Sequence, residues 1–404
     1  MNNDSLEERE QLVVSLRQRI LETIKPEMTQ QAYEVVNGSD AYRRPQKDVI
    51  RSLYSEQKLQ ALARLGKSLK PAKVQNLIRF FATGAEIDPV NIEPELVEVE
   101  AGTTNADLFR LATAQWSVPP TAGYGRRMRW LVFDRYNDKL IGLFALCDPV
   151  IGLSTRDQWI GWDTAQKGRR LSAVMSAYAV GSVPPYSHIL GGKLVTALLS
   201  SHQVSEAFKS KYLGRNSEYA QLTGKPPKFS DGILALIMIT SAFGRSSLYN
   251  RVQLPGLVSL EKIGATKGWG HFQIEGDVFR DMRRLLKIEN HPYAKGYEYG
   301  NGANWRMRLI RQALSSLEVD QDLLRHRIYR EVYGMPMGTN WRNFLLGKAD
   351  QLEVTLPEAN VISKAAKERW ILPRAVRRPD YQDWNDADIA KLFAPLLTQG
   401  RLSH

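Results

Sequence analysis

The chain has 404 residues, 43% hydrophobic and 24% charged, the balance of a folded protein of two or three packed units rather than of a disordered or fibrous one. A single cysteine excludes a disulfide framework and a cysteine-rich zinc site. Lys and Arg total 55 against 43 Asp and Glu, a net of +12 that favours polyanionic partners because phosphate neutralisation releases counterions, although the same excess can sit on solvated faces.

From the N-terminus, Leu6, Leu12, Val13, Leu16, Ile20, Leu21 and Ile24 recur at helical spacing, and Lys25-Pro26 breaks the pattern toward a helical hairpin. Residues 45–83 read the same way, with a break at Lys70-Pro71, an apolar series Val74, Leu77, Ile78 and Phe81, and an end near Gly84. Two prolines in Asp88-Pro-Val-Asn-Ile-Glu-Pro94 mark a linker, so an N-terminal helical domain is expected over residues 1–92.

The period then changes. Met128, Trp130 and Val132 alternate with Arg129, Leu131 and Phe133, a turn follows at Tyr136-Asn-Asp-Lys139, and Leu140 to Cys147 is almost continuously apolar, which predicts a hairpin and a buried, inert Cys147. Further strands are expected at Gln158–Trp162, Ala173–Val180 and Ile233–Thr240. Between the last two, Val183-Pro-Pro-Tyr-Ser187 leads through Leu190-Gly-Gly-Lys-Leu194 into an apolar helix. Residues 305–333 predict two amphipathic helices, the second carrying Leu323, Leu324, Ile328 and Val332. The expected fold is therefore mixed α/β, with a central mixed sheet over residues 93–290 and a helical, basic C-terminal region over 291–404.

Hairpin, strand, strand, small-residue loop, helix and strand is the order found in acyltransferases of the GNAT superfamily, which these residues resemble in architecture. That resemblance implies a phosphate-binding loop at Gly191, Gly192 and Lys193, where glycine lets backbone approach an anion, and a tyrosine acid at Tyr249. Gly191-Gly192 serves equally well as a close helix–sheet packing point. Asp148 and Asp157 are the carboxylates that a metal-dependent phosphodiesterase would need, and they also suit a strand terminator and a structural ion pair. His188, beside the Pro-Pro turn, and His271 stand in loop settings where a functional imidazole is conceivable, although packing explains each as well. The six histidines have no ligand-like spacing, so no metal is expected, and the sequence names no cofactor.

Basic and aromatic residues interleave around Tyr42 with Arg43, Arg44 and Lys47, along Trp305, Arg306, Arg308 and Arg311, and from Arg369-Trp370 through Arg374, Arg377 and Arg378. Such mixtures suit a groove that tracks a nucleic-acid backbone, DNA or RNA. No stretch approaches eighteen consecutive apolar residues, and Met1-Asn-Asn-Asp-Ser-Leu lacks the basic-then-apolar start of a secretory signal, so a cytoplasmic protein without membrane contact is expected.

Trp116-Ser-Val-Pro119, Gly123-Tyr-Gly-Arg-Arg127, Asp148-Pro149, Arg156-Asp157, Trp159-Ile-Gly-Trp-Asp163, the Val183 and Leu190 segments, Ser241 to Arg251, Gly268 to Phe272, Asn304-Trp-Arg306 and Arg330-Glu-Val-Tyr333 occur in order. Over about residues 95–347 this series resembles a formerly uncharacterised bacterial family, the protein A family of Druantia anti-phage defence systems. The resemblance implies a role in a multi-gene operon that includes a helicase-like partner, and it implies no particular reaction. Two classes of function remain open on the residues: a subunit that binds nucleic acid or partner proteins, and an enzyme of the acyltransferase or phosphodiesterase kind.

Overall fold

The structure, a computed structural model, describes residues 3–23, 51–52, 54–121, 123, 125–216, 230–266, 274, 276–291, 305–324 and 330–398. The chain forms two units from interleaved stretches. One comprises residues 1–49, 216–228 and 265–330, the other residues 50–215, 229–264 and 331–404.

The first unit is helical in its described part. Helices Asn3–Thr23, Gly276–Ile288 and Trp305–Ser316 bury Ile20, Met282, Leu285, Leu286, Leu309, Ile310 and Leu314 against one another. Arg17 pairs with Glu289 and Arg19 with Asp281 across its surface. The helical spacing read from Leu12 to Ile20 is thus a packing stripe.

The second unit holds a seven-stranded mixed sheet: β1 (Pro94–Glu98), β2 (Arg127–Asp134), β3 (Lys139–Cys147), β4 (Val174–Ser182), β5 (Leu236–Thr240), β8 (Glu261–Ala265) and β9 (Glu331–Pro336), in the order β1-β2-β3-β4-β5-β9-β8. A separate ribbon pairs β6 (Gln253–Leu254) with β7 (Val258–Ser259). β1 to β4 run antiparallel, β4 and β5 pair in parallel, and β5 and β9 pair antiparallel.

Both faces of this sheet are covered, which explains why β3 reads as one apolar run. On one face Trp130, Val132, Phe144 and Leu146 meet the helices Gly191–Leu198, His202–Tyr212 and Ala359–Ala366. On the other, Leu131, Leu143 and Ala145 meet the helices Ser55–Ser68, Pro71–Ile78, Thr104–Ala114 and Asp386–Leu397. Each fully buried side chain of this size contributes about 1.5–3 kcal/mol. Cys147 is buried at the end of β3.

Two expectations are corrected. Gln158–Trp162 is not a strand: Ser154–Ile160 is a helix, closed by Gly161 at φ 82°. The fully buried Arg156 sets this segment, donating to the Val150 and Ile151 carbonyls and to Asp157, so that tertiary bonding overrides the strand propensity of Trp-Ile-Gly-Trp. The second amphipathic helix also fails at its end, because Val332 lies in β9, where all of Glu331 to Met335 is buried by sheet pairing.

Along β4 the register with β3 passes from Ala145↔Ala179 to Leu146↔Ala177, leaving Tyr178 as an extra, bulged residue. Pairing with β5 covers only Val174 to Ala177, so β4 runs on to Ser182 without β5 beside it. The segment 241–252 lies at this end of the sheet, where Leu248 and Ser182 both lie against Gly192.

Candidate functional site

The turn after β4 is anchored from below. Tyr186 is fully buried and donates its hydroxyl to Asp134 at 2.8 Å, while Asp134 also accepts the Glu93 and Tyr136 amides at 2.9 and 3.2 Å. Burial pushes the Asp134 carboxyl above its ordinary range, and burial together with Asp134 pushes the Tyr186 hydroxyl far up, so this hydroxyl stays protonated and donating. The Gly191 amide donates to the Tyr186 carbonyl and opens the helix Gly191–Leu198.

Gly191 and Gly192 are buried. A Cβ on Gly192 would stand 2.5 Å from Leu248 Cδ1, which makes this glycine a packing point between the helix and the segment after β5. Lys193, in the same turn, donates to the Asn250 carbonyl at 3.2 Å and lies 5.6 Å from the ring centroid of the buried Trp370.

Trp370 belongs to a long helical run in which Ala359–Ala366 continues through a π-helical turn, Lys367–Ile371, into Leu372–Arg377. Pro373 has no amide to donate to the Arg369 carbonyl and its ring crowds that oxygen, which accounts for the widened turn just before it. The run turns Trp370 and Ile371 inward and leaves Lys364, Arg369 and Arg377 exposed. Arg374 donates to the His188 carbonyl at 3.3 Å, and Arg378 forms a two-pronged pair with Asp380 at 2.8 and 2.6 Å.

Of the three C-terminal arginines read as nucleic-acid contacts, therefore, only Arg377 is left without a partner among the described residues. Arg43, Arg44 and Lys47 lie outside the described residues, as does His271. His188 is half-buried and edge-on to Trp384 at 5.5 Å, and burial pushes its imidazole down.

The two candidate carboxylates are each held by a different arginine. Asp148 accepts the Arg126 amide at 3.0 Å and the Arg126 Nε at 2.7 Å, in a loop where Gly125 takes φ 61° and lies so close to Asp148 that a side chain would strike it. Asp157 receives Arg156, Trp162 and Lys167 at 2.6, 3.0 and 3.0 Å. Burial works to raise the Asp157 carboxyl, and the bonds from Lys167 and Arg156 outweigh it and hold the group below its ordinary range. Among the described residues no three His, Cys, Asp or Glu side chains converge as metal ligands would.

Tyr249 lies in the segment after β5, edge-on to Tyr333 at 5.6 Å, and burial alone pushes its hydroxyl up. Tyr333 in turn donates to Glu331 at 2.6 Å, and Lys262 pairs with the same buried carboxylate at 2.6 Å. This Glu331 cluster was not marked by any sequence pattern beyond Arg330-Glu-Val-Tyr333.

The family model described as Druantia protein DruA matches residues 44–347. The chain belongs to the DruA family. It is similar to a Druantia protein DruA of Escherichia coli (strain UMEA 4076-1), with 42% identity over 346 residues that cover 85% of this chain and 83% of that relative. No solved structure matches. Membership makes the chain a component of an anti-phage defence system. Several of the motifs that carry the resemblance prove to be structural in this fold: Asp157 and Trp162 form a polar cluster around the buried Arg156, and Tyr186 carries the Asp134 anchor. No helix among the described residues is long and apolar enough to cross a membrane.

Proposed function

We propose that this DruA-family chain serves its defence system as a nucleic-acid-binding subunit built on a GNAT-like core. The core reading is supported by the strand order of the seven-stranded sheet, the parallel β4–β5 pair, and the loop and helix that follow β4. The single observation that carries the binding reading is the row of exposed cations on the helical run 359–377: Arg369 and Arg377 stand there without a carboxylate among the described residues, in a chain of net charge +12.

The test is fluorescence anisotropy of a labelled oligonucleotide with the full chain and with the Arg369→Gln, Arg377→Gln double variant. Binding to unrelated sequences that falls several-fold in the variant supports the reading, and equal binding by both proteins contradicts it. The same surface suits another protein of the operon, such as the helicase-like subunit. That second reading is favoured by Val376, 82% exposed beside Arg377.

The enzyme readings draw less support. Gly192 is packed against Leu248, Tyr249 is sealed in the core, and Asp148 and Asp157 are each committed to an arginine.

A further inference from the structure

Lys193 donates to the carbonyl of Asn250, the residue before Arg251, and lies over the ring of Trp370, the residue after Arg369, so these contacts bring the backbone of two further cations from distant parts of the chain beside it. Lys193 comes from the first turn of the helix Gly191–Leu198, Arg251 from the end of the segment after β5, and Arg369 from the π-helical turn. Arg251 and Arg369 are exposed. Among the described residues neither is in an ion pair, and the Lys193 ammonium there meets the Asn250 carbonyl and the Trp370 ring and no carboxylate. Burial pushes the Lys193 ammonium down from its ordinary range, and both guanidiniums push it further the same way. Like charges held together at a partly buried lysine, with no carboxylate among the described residues to neutralise them, are an uncompensated cost that a bound anion removes.

Arg251 also sits at φ 65°, a left-handed conformation that glycine or asparagine takes more easily than arginine. Its place at the cluster is held by the fold and is not what a local turn preference would choose.

We infer that Lys193, Arg251 and Arg369 form a seat for a phosphate group. The inference rests on the nucleic-acid reading only for its first choice of occupant, a backbone phosphate; the other source of the same chemistry is a small molecule carrying a pyrophosphate. Trp370 gives the seat an apolar floor under Lys193, while the two exposed guanidiniums supply forked donors at its rim.

The experiment is site-specific acylation of the full chain with an amine-reactive acetate ester, read by mass spectrometry on the peptide containing Lys193. It is run alone, with inorganic pyrophosphate, and with a single-stranded oligonucleotide, beside an anisotropy measurement of oligonucleotide binding. Protection by both, or by the oligonucleotide alone, assigns the seat to nucleic acid. Protection by pyrophosphate alone upholds the seat and gives it to a small molecule, whether or not the oligonucleotide binds elsewhere. Unchanged labelling with both probes overturns the seat, and the anisotropy arm then shows separately whether nucleic-acid binding stands.

Arg251→Gln and Arg369→Gln are the companion variants, since both side chains are exposed. Each is expected to weaken the protecting ligand about tenfold while leaving the melting temperature unchanged or slightly raised, because a like charge has been removed. A lowered melting temperature with unchanged protection would mean that these arginines support the fold, and would overturn the assignment.

Discussion

Gly192 lies so close to Leu248 that a Cβ on the glycine would sit 2.5 Å from the leucine Cδ1 and 3.3 Å from Ser182 Oγ. The helix after β4 and the segment after β5 are therefore in contact at the place where β4 and β5 have parted.

Gly192→Val forces this contact apart. Overpacking of this kind costs about 1–3 kcal/mol, so a thermal melt followed by circular dichroism should shift down by several degrees. An unchanged melt with lost protection from phage would instead place a ligand against Gly192.

Asp157→Asn removes the carboxylate that faces the fully buried Arg156. Breaking such a pair costs about 3 kcal/mol at neutral pH. The folded-state pKa of Asp157 is depressed, so its contribution is present above the unfolded value and is lost as pH falls through the folded one. Urea titrations should show the gap between wild type and variant closing below about pH 4. A gap that stays constant down to pH 2 would contradict the ion-pair account.

Cys147 is 4% exposed, packed at the end of β3. Its thiol should react with an aromatic disulfide reagent only as fast as the native protein opens, and denaturant should release full labelling. Rapid stoichiometric labelling of the native chain would contradict the burial.

The sheet was readable where one physical pattern dominated. Alternation in β2 sends Met128, Trp130 and Val132 to one face and Leu131 and Phe133 to the other, and β3 is apolar throughout because helices cover both faces. The strand expected at Gln158–Trp162 fails: its aromatic content resembles a strand, whereas its conformation is set by the buried Arg156, whose carbonyl partners no local window reveals. Val332 fits a helical stripe and a strand equally well, and sheet pairing decides.

At the site, Gly191-Gly192-Lys193 stood out through its small residues. Arg251 did not, since nothing in the sequence shows that the chain returns it to Lys193. Arg374, Arg377 and Arg378 look alike in the sequence as nucleic-acid contacts, yet in the fold the His188 carbonyl engages Arg374 and Asp380 engages Arg378, a difference from Arg377 that no sequence pattern carries.

That separation yields a sharp contrast. Arg378→Gln removes a charge already neutralised by Asp380 and should leave oligonucleotide affinity within about twofold, as expected of an exposed pair. Arg377→Gln should lower affinity for unrelated sequences alike. Equal effects from the two variants would show that the Asp380 pair does not persist when nucleic acid binds.

The central claim, that the basic surface of this DruA-family chain meets phosphates, is tested most directly by titrating an oligonucleotide with the full chain across a series of salt concentrations. A straight fall of log affinity with log salt is predicted, its slope reduced by roughly one for each phosphate-contacting cation replaced, Arg369 and Arg377 among them. Affinity that is absent at low salt, or that is indifferent to salt, would contradict the account and move the role of the surface to protein assembly.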